Sequence, residues 1–466
     1  MPGGRARMHT EGGFTFDMGP SWYWMPDVFE TYFNSFGKKL SDYYELTRLD
    51  PSYRVYWNDG FIDVPADYEK LRQLFESLET GSAQKVDAFL KEAAYKYEVG
   101  INKLVRKPGR SLTEFLDIDL AKGVLKLDVF TSMKKHVSKY FTHPQLRFLM
   151  EFPVLFLGAL PEHTPALYSL MNYADIKLGT WFPKGGMYAI VDGMYRLAKE
   201  LGVKFYFSQD VKNIVVEDGQ AKAVVAHTAG ETEGETRFEA DVVIGGADYH
   251  FIENNLLPTA YKSYNEEYWN NRTMAPSCLI YYVGLNKKVN NLLHHSLFFD
   301  VDFQLHGHEI YSEPKWPTEP LFYLSATSVT EPDMAIPGGE TLFFLIPVAA
   351  GLTGDDETLR DKYFEKIVSR FERLTGENIS DAIVYKKSYS VSDFVSDYNA
   401  FKGNAYGLAN TLLQTAILKP SIKSKKVANL FYTGQLTVPG PGVPPALISG
   451  EIVAKEIVKE FTSNKN

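Results

Sequence analysis

Near the carboxyl end of the chain, a loop rich in glycine and proline separates a short apolar run from a helix-like segment. The apolar run, residues 430–433, stops at Gly434, as a buried strand would. The loop Pro439-Gly-Pro-Gly442 cannot be regular structure, because proline lacks an N–H donor and glycine admits positive φ. Pro444 and Pro445 then suit the first turn of a helix. A strand, a glycine loop and a helix start in this order can direct unpaired backbone N–H groups and the helix dipole at an electron-rich ligand. An ordinary loop before a terminal amphipathic helix would have the same spacing.

Other residue types that could do chemistry give weaker patterns. The histidines His294, His295, His306 and His308 suggest a metal site, but no further ligand follows at helical spacing, so we expect solvated loop histidines and no metal. No Ser-His-Asp order stands out, and no G-x-S-x-G elbow or phosphate-binding P-loop is present. No carboxylate singles itself out as a proton acceptor, so the sequence leaves the catalytic residues unassigned.

Length and composition exclude several classes of protein. At 466 residues the chain exceeds one typical core, which predicts two lobes or more. A net charge of −9 argues against nucleic acid as a partner, because phosphate binding needs a basic surface. The single cysteine, Cys278, excludes intrachain disulfides and a cysteine metal cluster, and it suits a reducing compartment. No apolar run has transmembrane length.

The pattern of residues 68–140 is helical, and residues 148–160 form a dense apolar and aromatic run that is too short to span a bilayer. That run is either a buried helical core or a surface that dips into a membrane. A substrate entrance is expected among the helices of residues 68–181, where the run gathers Phe148, Phe152, Leu155, Phe156, Leu157 and Leu160. Residues 181–256 predict a compact αβ unit. Its expected parts are a helix ending at Gly202, a strand over 203–207, a hairpin turning at Asp218-Gly219 and a parallel strand within 240–248. Further strands are expected at 277–283 and 342–347, and a helix at 358–374.

Taken in order, five motifs form a recognisable set. The whole chain resembles the phytoene desaturase family, the flavin-dependent carotenoid desaturases related to amine oxidases. The motifs that carry this resemblance are Pro2-Gly-Gly-Arg-Ala-Arg7, Phe16-Asp-Met-Gly-Pro-Ser21, Phe182-Pro-Lys-Gly-Gly-Met187, Ala240-Asp-Val-Val-Ile-Gly-Gly-Ala-Asp248 and Gly434 followed by Pro439-Gly-Pro-Gly-Val-Pro444.

The resemblance implies an FAD cofactor and assigns residues to it. It places a loop against the pyrophosphate and ribityl chain, a turn close to the flavin, a backbone contact with adenine, and a C-terminal turn and helix start facing the isoalloxazine. In that order, the matching positions are Gly3, Gly4 and Arg5; Gly19; Val211; and Gly434, Gly442 and Val443. A helix N-terminus at the last site would stabilise the negative charge of a reduced flavin.

One family feature is missing from the sequence. Relatives begin with a strand, a G-x-G-x-x-G turn, a helix and an acidic residue, and here all of these would lie before Met1. We therefore expect the sequence to lack the first few dozen residues of such a protein.

The expected fold is α/β, a two-lobed fold of the FAD-linked reductase type with an FAD lobe incomplete at its N-terminus. The FAD lobe is expected to combine residues 1–66, 181–256 and 401–466. A helical substrate or membrane-facing region would occupy 67–180, and a mixed-sheet substrate region 257–400.

The resemblance implies desaturation of phytoene or a related long apolar polyene, with hydride transfer to the flavin. A carotenoid ketolase, isomerase or polyene saturase on the same fold is an alternative. A flavin-free remnant that binds isoprenoid without turnover is another. A substrate that lives in the bilayer implies a cytoplasmic protein associated peripherally with the inner face of the membrane, and the sequence assigns no oligomeric state.

Overall fold

A seven-stranded mixed sheet lies at the centre of the structure, a computed structural model that describes residues 1–111, 114, 127–157, 160–228 and 234–463. The strand order in this sheet is β15-β11-β14-β13-β12-β4-β5. The strands, numbered along the chain, are β1 (Met8–Glu11), β2 (Phe14–Asp17), β3 (Leu46–Arg48), β4 (Tyr53–Trp57), β5 (Gly60–Val64), β6 (Trp181–Pro183), β7 (Gln209–Glu217), β8 (Gln220–Thr228), β9 (Glu235–Glu239), β10 (Val243–Gly245), β11 (Ser277–Leu285), β12 (His295–Phe298), β13 (Phe322–Ser325), β14 (Glu340–Val348), β15 (Ile383–Tyr389) and β16 (Leu430–Tyr432).

Helices cover both faces of this sheet and flank the smaller ones. The α-helical segments are Pro26–Asn34, Tyr68–Leu78, Ser82–Val99, Met133–Val137, Pro144–Glu151, Leu170–Tyr173, Tyr188–Glu200, Tyr249–Phe251, Glu266–Asn270, Phe303–Tyr311, Glu357–Thr375, Val391–Tyr398 and Val443–Ser463. The helix expected at 358–374 is therefore confirmed, and so are helices in the described part of 68–140; residues 112–113 and 115–126 lie outside what the structure describes. The fold class is α/β. Within the described ranges, no helix has the length and apolar character that crossing a bilayer requires.

The two faces of the central sheet pack against different layers, because successive side chains of a strand point to opposite faces. On one face, Leu345, Tyr323 and Leu297 lie side by side across β14, β13 and β12. On the other face, Phe344 and its neighbours pack against Phe371 of the helix Glu357–Thr375. The first face is the one that forms a wall of the cavity described below.

A parallel pair of strands leads into the C-terminal loop. β10 pairs with β16 in parallel, so residues 243–245 and 430–432 end at the same edge. Both strands were expected from the sequence, and both are confirmed. The hairpin of β7 and β8 is confirmed too, with Asp218 at φ +50° and Gly219 at φ +73° in its turn. Positive φ at both turn positions is what a two-residue hairpin of this type requires.

The strand expected over residues 203–207 is wrong. The helix Tyr188–Glu200 is followed instead by irregular backbone. A strand is stable only when a neighbouring strand pairs with its N–H and C=O groups, and none of the described strands pairs with this segment. Phe205 and Phe207 contact Tyr195, and Tyr206 contacts Phe238, but all three rings stay largely exposed, so the alternation in the sequence does not correspond to one buried face.

Residues 148–160 largely follow the buried-core interpretation. The helix Pro144–Glu151 continues as a 3₁₀ segment, Phe152–Leu157, in which Phe152 and Val154 are buried. The side chains of residues 155–157 lie outside what the structure describes. The substrate entrance expected around this run, which includes Phe156 and Leu157, therefore remains a prediction.

Candidate active site

A largely apolar cavity of about 260 Å³ lies between the central sheet and the C-terminal loop. Its floor is the row Leu297, Tyr323 and Leu345. Its other walls combine aromatic side chains with aliphatic residues, prolines and glycines, a lining that suits an apolar molecule better than a charged one. The aromatic side chains include Trp22, Trp24, Phe152, Phe299, Phe303 and Tyr406.

Two glycine turns that are far apart in the sequence meet at this cavity. One is Gly19 with its neighbours Pro20 and Ser21, and the other is Gly442 followed by Val443. The structure thus brings together three of the residues that the resemblance assigns to the flavin. Gly442 leaves backbone, without a Cβ, at the cavity wall. The missing Cβ of Gly19 instead leaves room for the backbone carbonyl of Arg5.

The second turn is the start of the helix Val443–Ser463. Gly442 has φ +110°, a conformation that a residue with a Cβ adopts only at a cost, and its carbonyl accepts the N–H of Ala446 at 2.9 Å. Because Pro444 and Pro445 carry no N–H, Val443 is the first-turn residue whose N–H can reach a ligand. The expected helix N-terminus is therefore confirmed as a feature of the cavity wall, with its dipole directed at the cavity.

The N-terminal residues Gly3, Gly4 and Arg5 lie behind the first turn and do not line the cavity. Gly3 has φ +117° and packs against Val191. The guanidinium of Arg5 donates to the carbonyl oxygens of Asn404 and Ala405, the latter at 2.8 Å. Arg5 is joined to the cavity through its own carbonyl, which contacts Gly19.

The two remaining assigned residues are placed differently. The N–H of Gly434 donates to the Ser449 hydroxyl at 3.1 Å, which fixes the end of β16 to the C-terminal helix. Val211 lies on β7, paired with Ala226, in a separate three-stranded sheet. Neither residue lines the cavity, so the structure gathers only part of the assigned set around it.

A planar flavin ring fits the chemistry of this wall. Gly442 presents backbone without a Cβ at this wall, and the wall ends in a helix N-terminus that favours negative charge. Trp22 and Trp24 supply aromatic surface beside the turn. The residues that would hold the isoalloxazine side of a flavin are therefore present.

The expectation of solvated histidines is wrong for three of the four. His294, His295 and His306 are buried, because they lie on β12 or its approach and on the helix Phe303–Tyr311. Burial lowers the pKa of His294 to about 3 and that of His306 to about 4, so both rings are neutral at ordinary pH. The sequence alone could not show whether His294 and His295 lie in a loop or in a strand, because two adjacent histidines define no alternating pattern.

The structure also assigns a role to Asp17, which sequence reasoning quoted only as part of a motif. Its buried carboxylate accepts the N–H of Met187 at 2.8 Å and that of Tyr188 at 3.2 Å, at the start of the helix Tyr188–Glu200. Burial raises the pKa of Asp17 to about 6, against the opposing effect of these two N–H donors. Asp17 thereby fixes the strand before the Gly19 turn to a neighbouring helix.

One group of possible metal ligands, Glu92, Asp128 and His136, lies away from the cavity. The buried ammonium of Lys96 occupies the cation position there, 3.0 Å from a carboxylate oxygen of Asp128. Burial, with the neighbouring Lys96, lowers the pKa of His136 to about 4. This cluster is therefore an ion pair with a neutral histidine beside it.

Comparison with known proteins identifies the family. Residues 1–458 match the family described as flavin containing amine oxidoreductase. The chain belongs to this family. A flavin is therefore its cofactor class, in agreement with the glycine-lined wall and helix N-terminus of the cavity.

Two similar relatives are named as desaturases of carotenoids or their precursors. The chain is 41% identical over 461 residues to "Carotenoid 3,4-desaturase" of Haloarcula japonica, which covers 98% of this chain and 92% of the relative. It is 31% identical to "zeta-carotene-forming phytoene desaturase" of Myxococcus xanthus, over 98% of this chain and 87% of the relative. The resemblance to the phytoene desaturase family is thus confirmed.

Solved structures agree on the fold. An oxidoreductase from Methanosarcina mazei superposes with a TM-score of 0.59 at 14% identity, covering 98% of this chain and 92% of that one. Cyclohexylamine oxidase from Brevibacterium oxydans gives a TM-score of 0.54 at 12% identity, over 99% and 92% of the two chains. At such identities the likeness concerns the fold alone.

Proposed function

We propose that this chain is an FAD-dependent carotenoid desaturase. The observation that carries the proposal is an apolar, aromatic cavity that ends at the Gly442 helix start, in a chain 41% identical to a carotenoid 3,4-desaturase. The reaction removes two hydrogens across a saturated C–C bond of a polyene and lengthens its conjugation. When bound, the flavin accepts one of these hydrogens as hydride.

This chain's own residues hold and orient the two reactants. Gly19, Gly442 and Val443 would hold the isoalloxazine edge, and the helix dipole at Val443 would stabilise negative charge there. Gly3, Gly4 and Arg5 would support the same region from behind the Gly19 turn. Gly434 and Val211 are assigned on the resemblance, to the flavin turn and to adenine.

The division into lobes follows the same assignment. Residues 1–66, 181–256 and 401–466 would form the FAD lobe, and 67–180 with 257–400 the substrate lobe. The meeting of Gly19 and Gly442 with the sheet residues Leu297 and Tyr323 in one cavity supports this division.

The names of the relatives suggest two candidate substrates. The Myxococcus relative is named for phytoene, whereas the more similar Haloarcula relative is named for 3,4-desaturation of a carotenoid. A coloured acyclic carotenoid that already carries a long conjugated system is therefore a candidate beside colourless phytoene. The apolar lining of the cavity suits both.

We also propose that the protein works at the cytoplasmic face of a membrane, because its substrate dissolves in lipid. Phe130, 87% exposed, and Leu413, 76% exposed, present large apolar side chains to solvent. Hydrogen bonds link both loops to one segment. The N–H of Ala166 donates to the carbonyl of Thr131, next to Phe130, and the hydroxyl of Tyr168 hydrogen-bonds Thr415, two residues after Leu413. We assign these two exposed side chains to a lipid-facing site of the peripheral kind.

The experiment supplies purified protein with FAD and liposomes that contain either phytoene or a coloured acyclic carotenoid. We expect flavin bleaching under anaerobic conditions and a product that absorbs at longer wavelength with at least one of the two. Bound flavin that neither substrate bleaches would contradict carotenoid desaturation. Protein that retains no flavin would favour the flavin-free alternative.

A further inference from the structure

The desaturation proposed above leaves one proton to be accepted, and the cavity narrows the choice of acceptor. Among the described residues that line it there is no aspartate, glutamate, lysine or arginine. The titratable side chains at its wall are one histidine and three tyrosines: His306, Tyr311, Tyr323 and Tyr406. The acceptor among lining residues must therefore be a neutral ring or hydroxyl.

Both ring nitrogens of His306 form hydrogen bonds with backbone groups. Its Nδ1 accepts the N–H of Leu321 at 3.0 Å, which places the proton on Nε2. Nε2 in turn donates to the carbonyl oxygen of Pro347 at 2.8 Å. Neither nitrogen of His306 is then free to accept a proton from a substrate.

Tyr323 differs from the other two tyrosines, because a histidine stands behind its hydroxyl. The hydroxyl lies 2.7 Å from Nδ1 of His295, whereas no basic side chain within the described ranges hydrogen-bonds the hydroxyl of Tyr311 or Tyr406. Sheet register creates the pair: Tyr323 on β13 lies opposite Leu297 on β12, and His295 is two residues before Leu297, on the same face. Ser21 of the flavin-side turn also hydrogen-bonds Tyr323.

His295 is held as a neutral ring with a fixed orientation. It is fully buried and stacks on Trp22, with ring centroids 4.1 Å apart and an angle of 12° between the planes. Burial, with His294 beside it, holds the pKa of His295 well below its ordinary value. In the tautomer with its proton on Nε2, the ring accepts a hydrogen bond from Tyr323, and Nε2 has no partner within the described part of the chain.

We propose that Tyr323 and His295 together accept the proton that desaturation releases, an inference that rests on the proposed function. One hydrogen leaves its carbon with both electrons of the C–H bond, as the hydride that a bound flavin would accept. The neighbouring C–H bond then breaks, and its electron pair becomes the new C=C bond. The proton passes to the Tyr323 oxygen as the hydroxyl proton of Tyr323 passes to Nδ1 of His295.

A weak base is sufficient for this step. Loss of the hydride leaves positive charge on the substrate carbon, and a proton beside such a carbon is strongly acidic. The positive charge moves from the substrate to His295, and a flavin bound at the Val443 helix start would supply the compensating negative charge. Trp22, stacked on the ring, further favours a cationic imidazole, because an aromatic face attracts positive charge.

The test uses Tyr323→Phe and His295→Asn in the flavin-loaded protein, with Tyr363→Phe as the matched control. The control also removes one tyrosine hydrogen bond, from the Tyr363 hydroxyl to the carbonyl of Pro317 at 2.6 Å, but away from the cavity. We expect kcat to fall about 100-fold in both test variants, the lower end of what proton-transfer catalysis contributes, while KM and flavin content stay unchanged. We expect a larger deuterium isotope effect at the carbon that loses the proton.

A second readout needs no turnover. In flavin-free protein labelled with ¹⁵N-histidine, Tyr323→Phe should shift the Nδ1 resonance of His295, and Tyr363→Phe should not. Wild-type kcat in Tyr323→Phe, or an unchanged isotope effect in both test variants, would overturn the inference while leaving carotenoid desaturation intact. If Tyr323→Phe does not fold, His295→Asn alone decides by the same measurements. A wild-type protein that loads flavin but does not desaturate would overturn both proposals.

Discussion

The backbone carbonyl of Arg5 occupies the space that a side chain at Gly19 would need. A Cβ on Gly19 would overlap this oxygen, so the two motifs Pro2-Gly-Gly-Arg and Gly-Pro-Ser-Trp are packed backbone to backbone. Gly19 lines the cavity and Arg5 supports it from behind. The first turn of the active site is thus built by two segments that must fit each other without side chains between them.

Gly19→Ala tests this packing. We expect a loss of about 1–3 kcal/mol in the free energy of unfolding, because the added methyl forces backbone apart. Flavin affinity should fall with it. Gly450→Ala is the control: it lies on the exposed side of the C-terminal helix with nothing within 4 Å of the added Cβ, and it should be neutral or slightly stabilising. Equal denaturation midpoints for the two variants would contradict the packing.

Gly442→Val tests whether the second turn faces the flavin. The substitution strains a residue at φ +110° and also places side-chain atoms at the cavity wall. Gly338→Val shares the strain, at φ +75°, in a loop where the Cβ meets nothing within 4 Å. We expect both variants to lose similar stability and only Gly442→Val to lose its flavin absorbance. If Gly442→Val retains flavin at the wild-type level, the flavin does not bind against this turn.

Asp17 gives a prediction about pH. Its pKa of about 6 in the folded protein exceeds the ordinary value near 3.9, so the folded state binds the proton more tightly than the unfolded chain. The stability contributed by protonated Asp17 is full below about pH 4 and is lost as the pH rises through about 6, a change of about 3 kcal/mol.

Asp17→Asn removes this titration and keeps one oxygen acceptor for the helix start. Relative to the wild type, the variant should gain stability steadily between about pH 4 and pH 6, measured by urea denaturation. The lost second hydrogen bond adds only a constant offset, so the slope decides. A difference between the two proteins that does not change with pH would mean that Asp17 is ionised throughout this range.

Phe130→Asp and Leu413→Asp test the lipid-facing site. Each should lower co-sedimentation with liposomes about tenfold, since each withdraws an apolar side chain that contributes ~1.5–3 kcal/mol on burial. Thermal stability should not change, because both side chains are exposed. Val384→Asp is the control: it replaces an exposed valine on the edge strand β15 and should bind liposomes normally. If all three variants bind like the wild type, the membrane contact lies elsewhere.

The sequence predicted those parts of the fold that depend on local patterns. Asp218-Gly219 defines its hairpin by backbone conformation alone, and the apolar run before Gly434 forms the expected strand because β10 pairs with it. Residues 203–207 show the limit of this reasoning, because their alternation satisfies a strand but a strand also needs a partner. Family motifs placed Gly19 and Gly442 near one ligand, and the structure brings both to one cavity.

The polar pair at the cavity floor lay beyond sequence reasoning. His295 and Tyr323 become neighbours only through the register of β12 against β13, which no spacing along the chain reveals. The burial of His295 follows from that register too, since the ring lies on the face covered by Trp22. In the sequence, two adjacent histidines are as compatible with a solvated loop as with a buried strand.

Carotenoid desaturation is tested most directly by the mass of the product that flavin-loaded protein forms from a carotenoid in liposomes. We expect a product lighter by two hydrogens for each double bond added, with absorbance moved to longer wavelength and one flavin reduced per double bond without oxygen. A product that has gained oxygen, gained hydrogen or kept its mass would instead indicate a ketolase, a saturase or an isomerase, and would contradict desaturation.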